Sequence, residues 1–219
     1  MGPGRRAGAL GQPRGVEPAA RPEGGGLVPA GSFASAADRL CQPAPLLICC
    51  DLQQEYVVAG RAHTMRDSEA ALKSCGRLLA AWRDGMWPIA HLKRVARAAW
   101  FNPASSLTDW IPEWRPQPGE LIFEHPLPSA YSSPRFADYL ANLGPLNCFV
   151  MGFSLEETIL STAIEGFHRG QKLTCISDAV AGAGPHSDAD QRAYLATLMG
   201  LVARFAEIKT EEQALAAVA

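Results

Sequence analysis

The chain has 219 residues, 47% of them hydrophobic and 19% charged, enough for one domain with a substantial core and too few for two of ordinary size. Its 20 basic and 22 acidic residues form no block of one sign and leave a net charge of −2 at pH 7, which argues against nucleic acid and anionic membrane as partners. No apolar run approaches the roughly 20 residues of a membrane span, and the N-terminus lacks the apolar core of a secretory signal, so a soluble, cytoplasmic protein is expected.

Residues 1–43 are dominated by Gly, Pro, Ala and Arg and show neither helical nor strand periodicity. Such a segment buries too little apolar surface to offset its ordering entropy, and a disordered extension is expected. Its arginines allow a targeting-peptide reading, which Glu17, Glu23 and the many glycines and prolines oppose. The six cysteines, Cys41, Cys49, Cys50, Cys75, Cys148 and Cys175, have no CxxC spacing and no partnered histidines. They read as reduced core residues in preference to disulfides or a zinc site.

From Pro45 short apolar runs alternate with helical patterns, the signature of repeated βα units and a mainly parallel sheet. PLLICCDL (45–52) reads as a buried strand. A helix follows with Ala71, Leu72, Cys75, Leu78, Leu79 and Trp82 on one face, ended by Asp84-Gly85. MWPIAHL (86–92) is a second strand, and Pro88 suggests an edge or irregular position.

Residues 94–118 form a long irregular segment carrying Trp100, Phe101, Trp110 and Trp114, either a pocket wall or lid, or a loop pinned to the domain or to another subunit. GELIFEH (119–125) is a third strand. Ser133-Pro134 opens a helix with Phe136, Leu140 and Leu143 aligned and Gly144 past its end. NCFVM (147–151) is a fourth strand, GFSLEETILSTAIEG the helix after it, closed by Gly170, and KLTCISDAV (172–180) a fifth. The turn AGAGPHSD leads to a helix around Tyr194 to Val202, and FAEIKT supplies a sixth strand before a short final helix. The expected fold is a three-layer α/β/α, Rossmann-like domain over residues 44–219 with a six-stranded, mainly parallel sheet.

In such sheets ligands sit beyond the carboxyl ends of the strands. That rule nominates Asp51 after the first strand, His91 and Lys93 after the second, His125 after the third, the Gly152 turn after the fourth and Asp178 after the fifth. Asp51 follows LLICC at the mouth of a core strand, where it either handles protons or caps nearby amides. His125 is an acid, base or cationic anchor, or a structural histidine.

Ser154-Leu155-Glu156-Glu157 fits a capping box, in which Ser154 and Glu157 satisfy each other's backbone amides. The same turn aims the amides around Glu156 to Ile159 at the strand-end crevice, where they can hold an oxyanion. Thr158 lies in that turn, a nucleophile only with a base beside it and otherwise bonded to the helix backbone. No P-loop, complete GxGxxG or paired metal-ligand motif is present, so neither cofactor nor metal is expected.

Taken in order, these segments resemble the isochorismatase-like hydrolase superfamily, also called the cysteine hydrolase family, which includes nicotinamidases, carbamoyl-amide hydrolases and isochorismatases. LLICCDLQQEY is similar to its first-strand motif ending in Asp with a following Gln. ELIFEHPLPSAYSSPRFADYLANLG is similar to the segment whose Lys precedes Ser-Ala-Phe by a fixed interval. FVMGFSLEETILSTAIEGFHRGQKLTCISDAVAG is similar to the segment holding the nucleophilic Cys, and the resemblance runs in order over residues 44–217.

The resemblance implies a catalytic set of Asp, Lys and Cys. Asp51 matches the Asp, His125 stands at the Lys position and Thr158 at the Cys position, so thiol catalysis is excluded there. Cys50 should point away from Asp51, and Cys49 should lie a step deeper. The implied reading is hydrolysis of a small molecule, with a C–N bond favoured over a vinyl ether, through Asp51, His125 and Thr158, in one version with the histidine as base. A pocket that binds without turnover is the alternative. Phe153, Ser154, Glu157, Tyr131 and Trp100 are the expected substrate contacts. The resemblance further implies a cis peptide at Phe153-Ser154 and a homo-oligomer.

Overall fold

The structure is a computed structural model that describes residues 1–2, 44–66, 68–143, 147–184 and 187–218. The expected extension over 1–43 therefore lies, apart from its first two residues, outside the described residues, as do Cys41, Gly144, Pro185 and His186. Chain contacts divide the protein into the units Met1–Cys41 and Gln42–Ala219, and every strand and helix named below belongs to the second.

Among the described residues six strands form one sheet: β1 (Pro45–Cys50), β2 (Ile89–Arg94), β3 (Leu121–His125), β4 (Asn147–Gly152), β5 (Leu173–Val180) and β6 (Glu207–Lys209). Their order is β3-β2-β1-β4-β5-β6, and every neighbouring pair is parallel. Among the described residues five α-helices accompany them: α1 (Ser68–Asp84), α2 (Pro134–Leu143), α3 (Leu160–His168), α4 (Asp188–Val202) and α5 (Glu211–Ala216).

Alternation along β1 divides the core in two. Leu47 and Cys49 meet the inward stripe of α1 and Ala214 of α5, whereas Leu46, Ile48 and Cys50 meet Phe136 and Leu140 of α2, Ala163 of α3 and Val202 of α4. That makes the three layers. In α1 the stripe is the one its spacing predicts, Ala71 to Trp82, and Trp82 is wholly buried with its Nε1 donating to the Pro45 carbonyl at 3.1 Å. Burying a large apolar side chain of this kind contributes on the order of 1.5–3 kcal/mol.

Pro88 precedes β2 instead of interrupting it, and β2 is an interior strand; β3 and β6 are the edges. The Pro88 carbonyl accepts from Leu47 N at 3.1 Å, a role that does not need the N–H that proline lacks. Among the described residues no helix is long and apolar enough to cross a membrane.

Candidate active site

β1 ends at Cys50, and the next residue, Asp51, is left-handed at φ 50°. A non-glycine residue costs about 1–2 kcal/mol in that region, although Asp tolerates it better than most. The turn swings the carboxylate over the end of the sheet, while Asp51 N still bonds the Leu92 carbonyl at 3.0 Å. Two side chains converge on it. His125 Nε2 lies 2.7 Å from Asp51 Oδ1, and Thr158 Oγ1 donates to Asp51 Oδ2 at 2.7 Å. All three residues are 0% exposed.

The hydrogen bonds constrain where the protons sit. His125 Nδ1 faces the Leu127 carbonyl at 2.7 Å, and a carbonyl only accepts, so Nδ1 carries a proton. The other nitrogen then either donates to an ionised Asp51 or accepts from a protonated one. Burial pushes the imidazole towards neutrality, but the Asp51 charge, its hydrogen bond and the Leu127 carbonyl outweigh that and raise the His125 pKa. Both hydrogen-bond partners of His125 therefore favour its charged form.

This order, His125–Asp51–Thr158, corrects the version with histidine as base. Both ring nitrogens of His125 are committed, neither to Thr158, and Asp51 stands between them. Thr158 bonds the carboxylate, where the plainer expectation was the helix backbone.

Thr158 is positioned by an unusual helix start. Gly152 closes β4 at φ 106°, where a Cβ would lie 2.1 Å from the Cys50 carbonyl oxygen, so the position requires glycine. The Phe153-Ser154 peptide is cis, and a wide π-helical turn, Leu155–Ile159, precedes α3. Ser154 Oγ accepts from Glu157 N at 3.3 Å, which is half of the expected capping box. The other half is absent, because the Glu157 carboxylate pairs with Arg94. Ile159 N bonds the Ser154 carbonyl at 3.0 Å, so two of the expected oxyanion amides are committed, and the Glu156 amide faces its own carboxylate.

The remaining nominated residues divide sharply. Phe153 is wholly buried against Tyr56 in the core, ring centroids 5.8 Å apart. Tyr131 packs on Phe136 beneath Arg169 with its hydroxyl over Gly166, which gives it a core position and corrects its assignment as a substrate contact. Trp100 is 42% exposed and stands edge-on to His63; the inward aromatic of its loop is Phe101. Trp114 Nε1 donates to the Leu72 carbonyl at 2.8 Å, which pins the loop to α1.

His91 lies inside β2, bonded to Glu120 at 2.8 Å, and Lys93 lies near Trp110 and Asp109. Asp178 lies inside β5 and caps α5 through Glu211 N at 2.7 Å. These three are not part of the Asp51 group. Cys49 and Cys50 pack into opposite cores, and burial, their largest perturbation, raises both thiol pKa values.

Sequence reasoning missed Arg94 and Tyr56, and gave Gln53 no role beyond its place in the first-strand motif. Gln53, wholly buried, pairs with the backbone of Arg94 in both directions, at 3.0 and 2.8 Å, and also donates to the Thr108 carbonyl at 2.7 Å. The signal for Arg94 was its place at the true end of β2, two residues past the expected one.

An all-parallel three-layer α/β sheet with a buried carboxylate at the carboxyl ends of its central strands defines the class: a doubly wound domain with a strand-end site. Residues 45–213 match the isochorismatase domain family, and the chain belongs to it. Solved structures share the fold. One is an isochorismatase from Pseudomonas putida KT2440, 24% identical, covering 83% of this chain and 99% of that one at a TM-score of 0.71. Another is a cysteine hydrolase from Pseudomonas syringae pv. phaseolicola 1448A, 15% identical, covering 80% and 92% at 0.72. A third is N-carbamoylsarcosine amidase from Thermoplasma acidophilum, 17% identical, covering 77% and 96% at 0.60. No curated protein matches the sequence.

Proposed function

We propose that this chain hydrolyses a small molecule at a C–N bond of amide or ureide type without a cysteine nucleophile. The observation that carries the reading is the Asp51 carboxylate, bridged at 2.7 Å to both His125 and Thr158 at the carboxyl end of the sheet. Asp51 takes a proton from the water that attacks the carbonyl carbon and returns it to the leaving nitrogen as the C–N bond breaks. A charged His125 supplies beside Asp51 the positive charge that the cation of the Asp-Lys-Cys set would supply. Thr158 holds the carboxylate by its hydroxyl and offers its backbone amide to the oxyanion. The amidase among the structural relatives, by its name, makes a C–N bond the first choice to test.

A second reading, a pocket that binds without turnover, is favoured by the closure of the group: all three side chains are 0% exposed and both carboxylate oxygens already have partners. A panel of amides, ureides and isochorismate, assayed with wild type and Asp51→Asn, separates the two. The hydrolase reading expects turnover of an amide or ureide that falls at least about a hundredfold in Asp51→Asn, the scale of a lost general acid–base group. Turnover unaffected by Asp51→Asn, turnover of isochorismate alone, or binding with no turnover at all would each contradict it.

A further inference from the structure

The proposed reaction does not use Arg94, yet Arg94 is tied to each side of the site. It is the last residue of β2 and the partner of His125 in the β2–β3 register. The Gln53 side chain bonds its carbonyl and its amide at 3.0 and 2.8 Å, and Gln53 N bonds the Asp51 carbonyl at 2.7 Å, which joins the end of β2 to the turn that presents Asp51. The Arg94 side chain is only 13% exposed; its guanidinium lies over the Phe101 ring, 5.1 Å from the centroid, with the buried Tyr56 hydroxyl against it. Its Nη1 donates to Glu157 Oε2, and Glu157 immediately precedes Thr158 in the wide turn.

β2 and β4 lie on opposite sides of β1, so an ion pair from the end of β2 to the turn after β4 crosses the end of β1, where Asp51 follows. Arg94 is fixed at its backbone and at its planar face, so the cation locates the carboxylate and, with it, the backbone of the next residue, Thr158. A charge-assisted bond from a guanidinium held in a largely dry place is stronger and more directional than an exposed one. Thr158 Oγ1 donates to Asp51 Oδ2 at 2.7 Å, and hydrogen bonds weaken steeply with distance and angle, so a small shift of the turn loses that contact.

We propose that Arg94 is a positioning residue for the hydrolysis: by its ion pair with Glu157 across the end of β1 it holds the turn that carries Thr158 against the Asp51 carboxylate. It touches no reacting atom in this role. Its charge also gives it a signature at the third member of the group. Arg94 faces His125 together with Asp51 and the Leu127 carbonyl, and of these three it alone opposes charging of the ring. The inference rests on the hydrolase reading only in naming the reaction that Thr158 is positioned for; the bracing itself is a property of the resting protein.

NMR on the full chain without substrate tests it, through the exchange rate of the Thr158 hydroxyl proton and the titration of His125. Arg94→Met, which fills the same space without a donor, and Glu157→Ala, at a side chain 35% exposed, are each expected to speed the Thr158 exchange at least tenfold. The double variant should exchange no faster than Arg94→Met alone, because both changes remove one contact. Arg94→Lys, which keeps the cation, should recover part of the protection. The His125 pKa should rise in Arg94→Met and return in Arg94→Lys, whereas a general loosening of the fold would bring it towards its ordinary value instead. Exchange that neither single variant speeds, effects that add in the double variant, or a His125 pKa that falls in Arg94→Met would overturn the bracing. If these changes appear in a chain that turns over nothing in the substrate panel, the bracing stands and the hydrolase reading falls.

Discussion

Asp51 is the residue on which the site turns, and its partner His125 gives that role a pH signature. Burial opposes charging the imidazole, but the carboxylate and the Leu127 carbonyl more than compensate, so the folded pKa lies above the unfolded value of about 6.5. Below about pH 6.5 the ring is charged in both folded and unfolded chains and the pair's contribution to stability is complete. As pH rises through the raised folded pKa, the proton leaves and the contribution is lost. In chemical denaturation the stability difference between wild type and His125→Gln should therefore shrink above pH 6.5, by about 1.4 kcal/mol for each unit of elevation. A difference that is flat or grows with pH would contradict the charged pair. At this scale Asp51, His125 and Thr158 were legible from the sequence, because strand ends and intervals locate them. Arg94 was not, because the apolar run of β2 stops at Leu92 whereas its pairing with β3 continues to Arg94. Glu157 was legible as half of a cap and, through the resemblance, as an expected substrate contact, but nothing in S-x-x-E reveals a distant arginine.

The element that delivers Thr158 is β4 and the turn after it, and Gly152 is its tightest point. Any side chain there meets the Cys50 carbonyl oxygen at 2.1 Å in a backbone conformation that L residues avoid. Gly152→Ala should lower stability by about 1–3 kcal/mol or more, as overpacking does, and should move Thr158 away from Asp51. Thermal unfolding together with turnover checks this; an unchanged Tm with full activity would mean that the turn is not held as described. The helical stripes of α1 and α2 were readable because a 3.6-residue period and caps such as Ser133-Pro134 are local properties. The wide turn at Leu155–Ile159 was not, because the same apolar spacing suits an ordinary helix start, and the loop over 94–118 could be recognised as important without revealing that Phe101 faces inward and Trp100 outward.

At the scale of the whole molecule the group is assembled by strand order. His125 at the end of β3 and Asp51 after β1 meet across the end of β2, and Thr158 comes from beyond β4 on the other side of β1. Alternating strand and helix patterns establish the fold class, but they carry no record of which strands lie side by side, so the convergence was accessible only through resemblance. The same packing encloses the described cysteines. Cys49, Cys50, Cys75, Cys148 and Cys175 are all buried, and burial raises each thiol pKa, with Cys148 and Cys175 pushed up to about 12. Such thiols carry almost no thiolate near neutrality and resist alkylation in the folded chain.

The most direct test is turnover of the best substrate by a Cys41→Ser chain, native and fully folded, after prolonged iodoacetamide treatment, measured beside the same chain carrying Asp51→Asn. The account predicts full activity after treatment, no label on the five buried cysteines by mass spectrometry, and near-complete loss with Asp51→Asn. Inactivation that tracks alkylation of Cys49 or Cys50, with Asp51→Asn still active, would contradict it.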